Sequence, residues 1–104
     1  MILATTETVP EREIIAILGI VTGNVVQSKH IGRDIMASLK GIVGGELKGY
    51  TEMFNEARDQ AMSRLETEAL ALGADAVIGV RFTTSAIMDG ACELLAFGTA
   101  VKLR

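Results

Sequence analysis

The sequence predicts an α+β fold: a two-layer subunit in which a mainly antiparallel sheet packs against one long and one short helix. Three observations carry this. Residues 51–72 repeat apolar side chains every three or four positions, the period of an amphipathic helix. The last third of the chain reads as two strands joined at Asp89-Gly90, a pair that tolerates the positive φ angles of a type I′ turn. Residues 14–26 are apolar or β-branched at nearly every position, which reads as a strand.

Each element has a local rationale. Residues 1–5 form a short apolar strand, and the polar stretch 6–12 around Pro10 breaks regular pairing. In residues 14–21 the apolar run shows no alternation, the pattern of a strand covered on both faces. One chain of 104 residues has too little material to cover both, so a neighbouring subunit is the expected cover. Ile35, Leu39 and Ile42 mark a short helix over 32–42, which Gly41, Gly44 and Gly45 end. On the long helix, Phe54, Ala57, Ala61, Leu65, Ala69 and Leu72 share one face, with Thr51 as its cap and Gly73 at its end.

A two-residue loop at Asp89-Gly90 sets a hairpin register. It places Phe82 opposite Phe97, Val80 opposite Thr99 and Ile78 opposite Val101. The other face then pairs Gly79 with Ala100, Arg81 with Gly98 and Thr83 with Ala96. On this reading the large residues meet the long helix, and the small ones meet another protein surface.

Composition narrows the function classes. The chain is a single domain over 1–104, 49% hydrophobic, with a net charge of −3 and four aromatic residues. It lacks the basic face and stacking rings of a nucleic-acid binder. The longest apolar run is too short to span a membrane, and the first residues lack a basic signal-peptide region. One cysteine and no pairing partner suit a reducing, cytoplasmic setting. So much apolar surface in so small a domain points to a homo-oligomer.

No catalytic constellation stands out. The serines lie outside any nucleophile elbow, one histidine leaves no base for a triad, and no cofactor motif is present. Soft-metal sites use closely spaced thiolates and imidazoles, whereas Cys92 and His30 stand 62 positions apart. They are the candidate metal ligands, with a buried thiol and a loop imidazole as the structural alternatives. The glycine-rich segment 41–46 lacks the Lys-Ser/Thr ending of a phosphate-binding loop. Asp34 and Glu46 are available carboxylates. Arg33, Glu46, Arg58 and Arg81 form the candidate interface or anion-binding set, because arginine suits both interfacial ion pairs and anions.

Several blocks, taken in order, carry a family resemblance: Leu18-Gly19-Ile20-Val21-Thr22-Gly23, Gly44-Gly45-Glu46, Tyr50-Thr51, Gly73-Ala74-Asp75-Ala76-Val77-Ile78-Gly79-Val80-Arg81-Phe82 and Phe97-Gly98-Thr99-Ala100-Val101. Together they resemble the YbjQ-like family across essentially the whole chain. Its bacterial and archaeal members are uncharacterised and sometimes labelled "putative heavy-metal-binding". Phe97 and Asp75 depart from the family's frequent Tyr and Asn. The resemblance implies a small subunit, similar in outline to that of dodecin, assembling into a homopentameric ring. A non-enzymatic scaffold or binding module is the function this suggests; a ligand- or heavy-metal-binding protein with sites at subunit boundaries is the alternative.

Overall fold

The structure, a computed structural model, describes residues 1–28, 48–88 and 90–104. The short helix expected over 32–42, the glycine turn at 41–46, and His30, Arg33, Asp34, Glu46 and Asp89 lie outside them. Among the described residues the elements are β1 (Ile2–Leu3), β2 (Ile14–Ser28), α1 (Lys48–Ala71), β3 (Ala76–Met88) and β4 (Ala91–Leu103). They form one mixed sheet in the order β1-β3-β4-β2, with α1 lying over β2 and β4. β1 runs parallel to β3, and the other pairings are antiparallel.

Helix α1 follows the predicted period. Ala57, Ala61, Leu65 and Ala69 form a single row, four residues apart and fully buried. The row meets Val21, Val77, Val80 and Ala100 at one end, and Val25, Leu94 and Ala96 at the other. Gly73 ends the helix with φ +76°. The N–H of Ala74 reaches the Ala69 carbonyl (3.1 Å) and that of Gly73 reaches Leu70 (3.0 Å), which completes a Schellman motif. Two expectations for the helix are corrected. It begins at Lys48, so Thr51 sits inside the first turn rather than before it. Leu72 follows the last helical residue and is exposed, because the glycine turn rotates it away from the buried row.

The hairpin closes as expected, with Met88 opposite Ala91 and Gly90 at φ +75°. Its register does not continue as expected. Ala86 pairs with Cys92, leaving Ile87 as an extra residue on β3. Farther along, Ile78 pairs with Thr99 and Arg81 with Phe97, so Gly79 and Val80 oppose Gly98 alone. This second bulge has a physical cause. Gly79 adopts φ +61°, and β3 turns two N–H groups toward the N-terminal segment, Gly79 to Thr6 (2.8 Å) and Val80 to Ala4 (3.0 Å).

A slip of one residue moves a side chain to the opposite face of a sheet. The extra Ile87 therefore puts Phe82 opposite Ala96, not Phe97, and Arg81 opposite Phe97, not Gly98. On β4 the assignment of faces is reversed as well, while Val80 of β3 meets the helix as expected. The small residues of β4 (Ala96, Gly98 and Ala100) face α1, while Leu95, Phe97 and Thr99 alternate to the other side. The helix row is itself mostly alanine, so small residues on both layers draw them close together. Gly23 on β2 marks the tightest point: a Cβ there would lie 2.1 Å from the Ala61 carbonyl oxygen and 2.5 Å from the Leu65 nitrogen.

Candidate functional site

Two surfaces follow from this arrangement. The first is the sheet face turned away from α1. At its base Val9, Ala76, Val101 and Leu103 bury one another, with Ile14 and Ile78 beside them. Above that base no described element covers the sheet. Ile17 is 74% exposed, Ile20 77% and Val26 52%, on a face that also carries the partly covered Leu95 and Phe97. The expectation that β2 is apolar on both sides thus meets a strand with Val21, Gly23 and Val25 under the helix and isoleucines facing outward.

The second surface is a groove of about 450 Å³ at the start of α1, lined by Gln27, Met53, Glu56, Ala57, Asp59 and Gln60. Helical spacing places Met53, Glu56 and Gln60 on one side of α1, and β2 supplies Gln27. Gln27 Oε1 is enclosed there with no donor among the described residues. Sequence reasoning missed both Gln27 and Gly23. A glycine inside an otherwise apolar strand is a signal of close backbone approach and could have located the second.

The candidate residues do not converge. Arg58 projects from α1 and donates to Asn55 Oδ1, one turn earlier. Arg81 sits on β3 and donates through Nη1 to the carbonyls of Thr5 (2.8 Å) and Val80 (2.9 Å), so it braces the N-terminal segment. The space over Gly98, the residue expected opposite Arg81, is filled by the methyl groups of Val77 and Val80. Cys92 is a free, partly covered thiol on β4 opposite Gln27 and Ala86.

Other polar groups serve the fold. Arg64 of α1 donates to the Asn24 carbonyl of β2, while Asn24 Nδ2 donates to Glu93 Oε2 across the sheet (3.1 Å). Asp75 accepts the Leu103 N–H (2.8 Å) and faces Lys102 Nζ (3.4 Å), which also donates to the Gly73 carbonyl (3.1 Å). The backbone bond from Leu103, and then Lys102, hold the Asp75 carboxyl below the ordinary aspartate value. This lock ties the turn after α1 to the end of β4.

A metal site is not assembled by these residues. Among the described residues no three His, Cys, Asp or Glu side chains come together in a metal-holding group. Among the described residues Cys92 has no neighbouring thiolate or imidazole of the kind a soft ion prefers. Likewise, no helix among the described residues is long and apolar enough to cross a membrane.

Comparison with known proteins fits this geometry. A "UPF0145 protein" of Shewanella frigidimarina is 70% identical over 99% of this chain and 96% of its own length. Another, from Archaeoglobus fulgidus, is 62% identical over the whole chain and 96% of its own length. A crystal structure of a DUF74-family protein of unknown function from Pediococcus pentosaceus superposes with a TM-score of 0.67. That match covers all of this chain and 98% of the other at 17% identity, which shows the fold alone. The YbjQ_1 family model, described as "Putative heavy-metal-binding", matches residues 1–104. The chain therefore belongs to the YbjQ family of UPF0145 proteins.

Proposed function

We propose that the protein is a non-enzymatic, cytoplasmic scaffold or binding module that works as a closed ring, five subunits in number, through its assembled surface or central cavity. The observation that supports this is the uncovered sheet face bearing Ile17, Ile20 and Val26. Apolar residues grouped on one face of a small domain favour association, since each isoleucine removed from water contributes about 1.5–3 kcal/mol. A heterologous interface closes into a ring when its rotation fits. The number five comes from the family resemblance.

The test is light scattering of tag-free protein. A subunit of 11.0 kDa gives a ring of about 55 kDa, and Ile20→Lys should reduce it toward monomer while circular dichroism stays unchanged. Wild-type protein running as an 11.0 kDa monomer at micromolar concentration overturns the proposal.

The second reading, binding of a ligand or heavy metal at subunit boundaries, is favoured by the family description and by the groove holding Met53, Glu56 and Asp59. Since a single chain does not collect a soft-ligand set among its described residues, the ring would have to bring donors together from several copies. One metal ion per subunit in protein purified without an affinity tag would establish it.

A further inference from the structure

We infer that residues 4–12 form a strap that opens as one unit while the rest of the sheet stays folded, and that its opening uncovers the apolar base of the outer sheet face. The inference concerns a single chain and holds whether or not subunits join into a ring.

The path of the strap follows from the strand order. β1 lies beyond β3 at one side of the sheet, and β2 lies beyond β4 at the other. The residues between β1 and β2 therefore cross two strands. They cross on the face turned away from α1, because Val9 packs there with Ala76, Val101 and Leu103. Both ends are tied. β1 pairs with Ala76 and Val77, and the Arg104 N–H donates to the Glu13 carbonyl (2.9 Å) where β2 begins.

Between those ends the hold is thin. Residues 4–12 contain no helix or strand, and Val9 is their one buried side chain. Beyond the bond from the Ala4 N–H to the Val77 carbonyl, three bonds fix the strap to β3. The N–H groups of Gly79 and Val80 donate to the carbonyls of Thr6 and Ala4, and Arg81 Nη1 donates to that of Thr5. Against them works Glu11, whose φ of +63° is the one positive value among the described non-glycine residues. A side chain in the left-handed region is strained, and its surroundings must hold it there.

The two holds are coupled. Only Glu7 and Thr8 separate Thr6 from Val9, and the Thr6 hydroxyl donates to the Thr8 carbonyl (2.7 Å), which stiffens the link. Losing either hold therefore loosens the other. A segment with one buried side chain and few bonds opens at a lower free energy than the whole domain unfolds. Its release has a specific consequence. Val101 stands opposite Ile17 and Leu103 opposite Ile14 in the β2–β4 register, so the base beneath Val9 is continuous with the exposed isoleucines of the outer face. The strap thus sets how much apolar surface that face displays.

Native-state amide exchange at one fixed protein concentration, through a series of low urea concentrations, tests this. The amides of Gly79, Val80 and Arg12 (bonded to the Val9 carbonyl, 3.1 Å) report on the strap; that of Asp75, bonded to the Val101 carbonyl (2.9 Å), reports on the sheet beside it. The three strap amides should exchange faster than Asp75, with one shared opening free energy that depends only weakly on urea. Val9→Ala should speed all three together by about tenfold, from the loss of two buried methyl groups, and leave Asp75 unchanged. Glu11→Gly, which relieves the strain at an exposed position, should slow all three. The inference is overturned if Gly79 and Val80 exchange together with Asp75 at the rate of global unfolding, or if Val9→Ala speeds Arg12 alone. If Val9→Ala does not fold, the urea dependence of the wild type and Glu11→Gly decide, and a Glu11→Gly chain in which Gly79 and Val80 do not slow overturns the inference.

Discussion

Gly23 is where sequence, packing and stability meet most directly, and Gly23→Ala should be disproportionately harmful. An added methyl would lie 2.1 Å from the Ala61 carbonyl oxygen and 2.5 Å from the Leu65 nitrogen. Relaxed contacts lie near 3.5 Å, so α1 must retreat by about 1 Å. Both obstacles are helix backbone, so no rotamer change relieves the clash. A helix about 10 Å wide, lifted over two turns of about 11 Å, opens a void on the order of 100 Å³. At ~24 cal/mol per Å³ this costs about 2–3 kcal/mol, before any strain in β2. For a domain whose total stability is of order 5–15 kcal/mol, that is a large share. Urea unfolding followed by helical circular dichroism, at one fixed protein concentration, should show the midpoint falling by about 1–2 M. Gly19→Ala is the control. Among the described residues nothing lies within 4 Å of its added methyl, so it reports the backbone strain of φ +137°. A Gly23→Ala midpoint within about 0.5 kcal/mol of wild type, or no worse than Gly19→Ala, would refute the close approach of α1 to β2.

Two further outcomes test the polar braces. Asp75 has a lowered carboxyl pKa, so its contribution is present above the ordinary aspartate value and is lost as pH falls through the lower folded value. Asp75→Asn should therefore flatten the decline of stability below about pH 4, measured by urea midpoints across the acid range; an unchanged slope counts against the lock to Leu103 and Lys102. Arg81→Ala should remove the bond to Thr5, worth about 1 kcal/mol, and speed amide exchange at Gly79 and Val80 about fivefold. If the oligomer dissociates while those amides keep their protection, Arg81 acts at the subunit boundary and its brace is incidental.

The elements that were legible in the sequence are those whose signals are local. The alanine and leucine period of α1, its Gly73 terminus and the two-residue turn after Met88 depend on neighbours in the chain, and the structure contains all three. What was hidden depends on distant partners. The bulge at Gly79 exists because Ala4 and Thr6 accept its N–H and that of Val80, and nothing near Gly79 in the sequence announces those carbonyls. That bulge leaves Ile78 opposite Thr99 rather than Val101, while the extra Ile87 nearer the turn is what moved Arg81 from Gly98 to Phe97. The candidate site suffered in the same way: Arg58 and Arg81 are bound to groups on their own side of the molecule, and Gln27 enters the groove only through the β2–α1 packing.

The reversal of faces also explains why the domain presents so apolar an exterior. Side-chain volume on the two faces of a strand is coupled, because successive residues point to opposite sides. When α1 approaches over an alanine row and Gly23, the sheet beneath it must offer small residues: Ala96, Gly98 and Ala100 on β4, with modest valines on β2 and β3. The larger side chains, Ile17, Ile20, Leu95 and Phe97, then fall at the alternate positions and face outward. Making the inner layer bulkier to bury more within one chain would push the helix off β2, as Gly23→Ala is expected to show. Close packing under the helix and an apolar face on the other side of the sheet are thus one consequence of the same alternation.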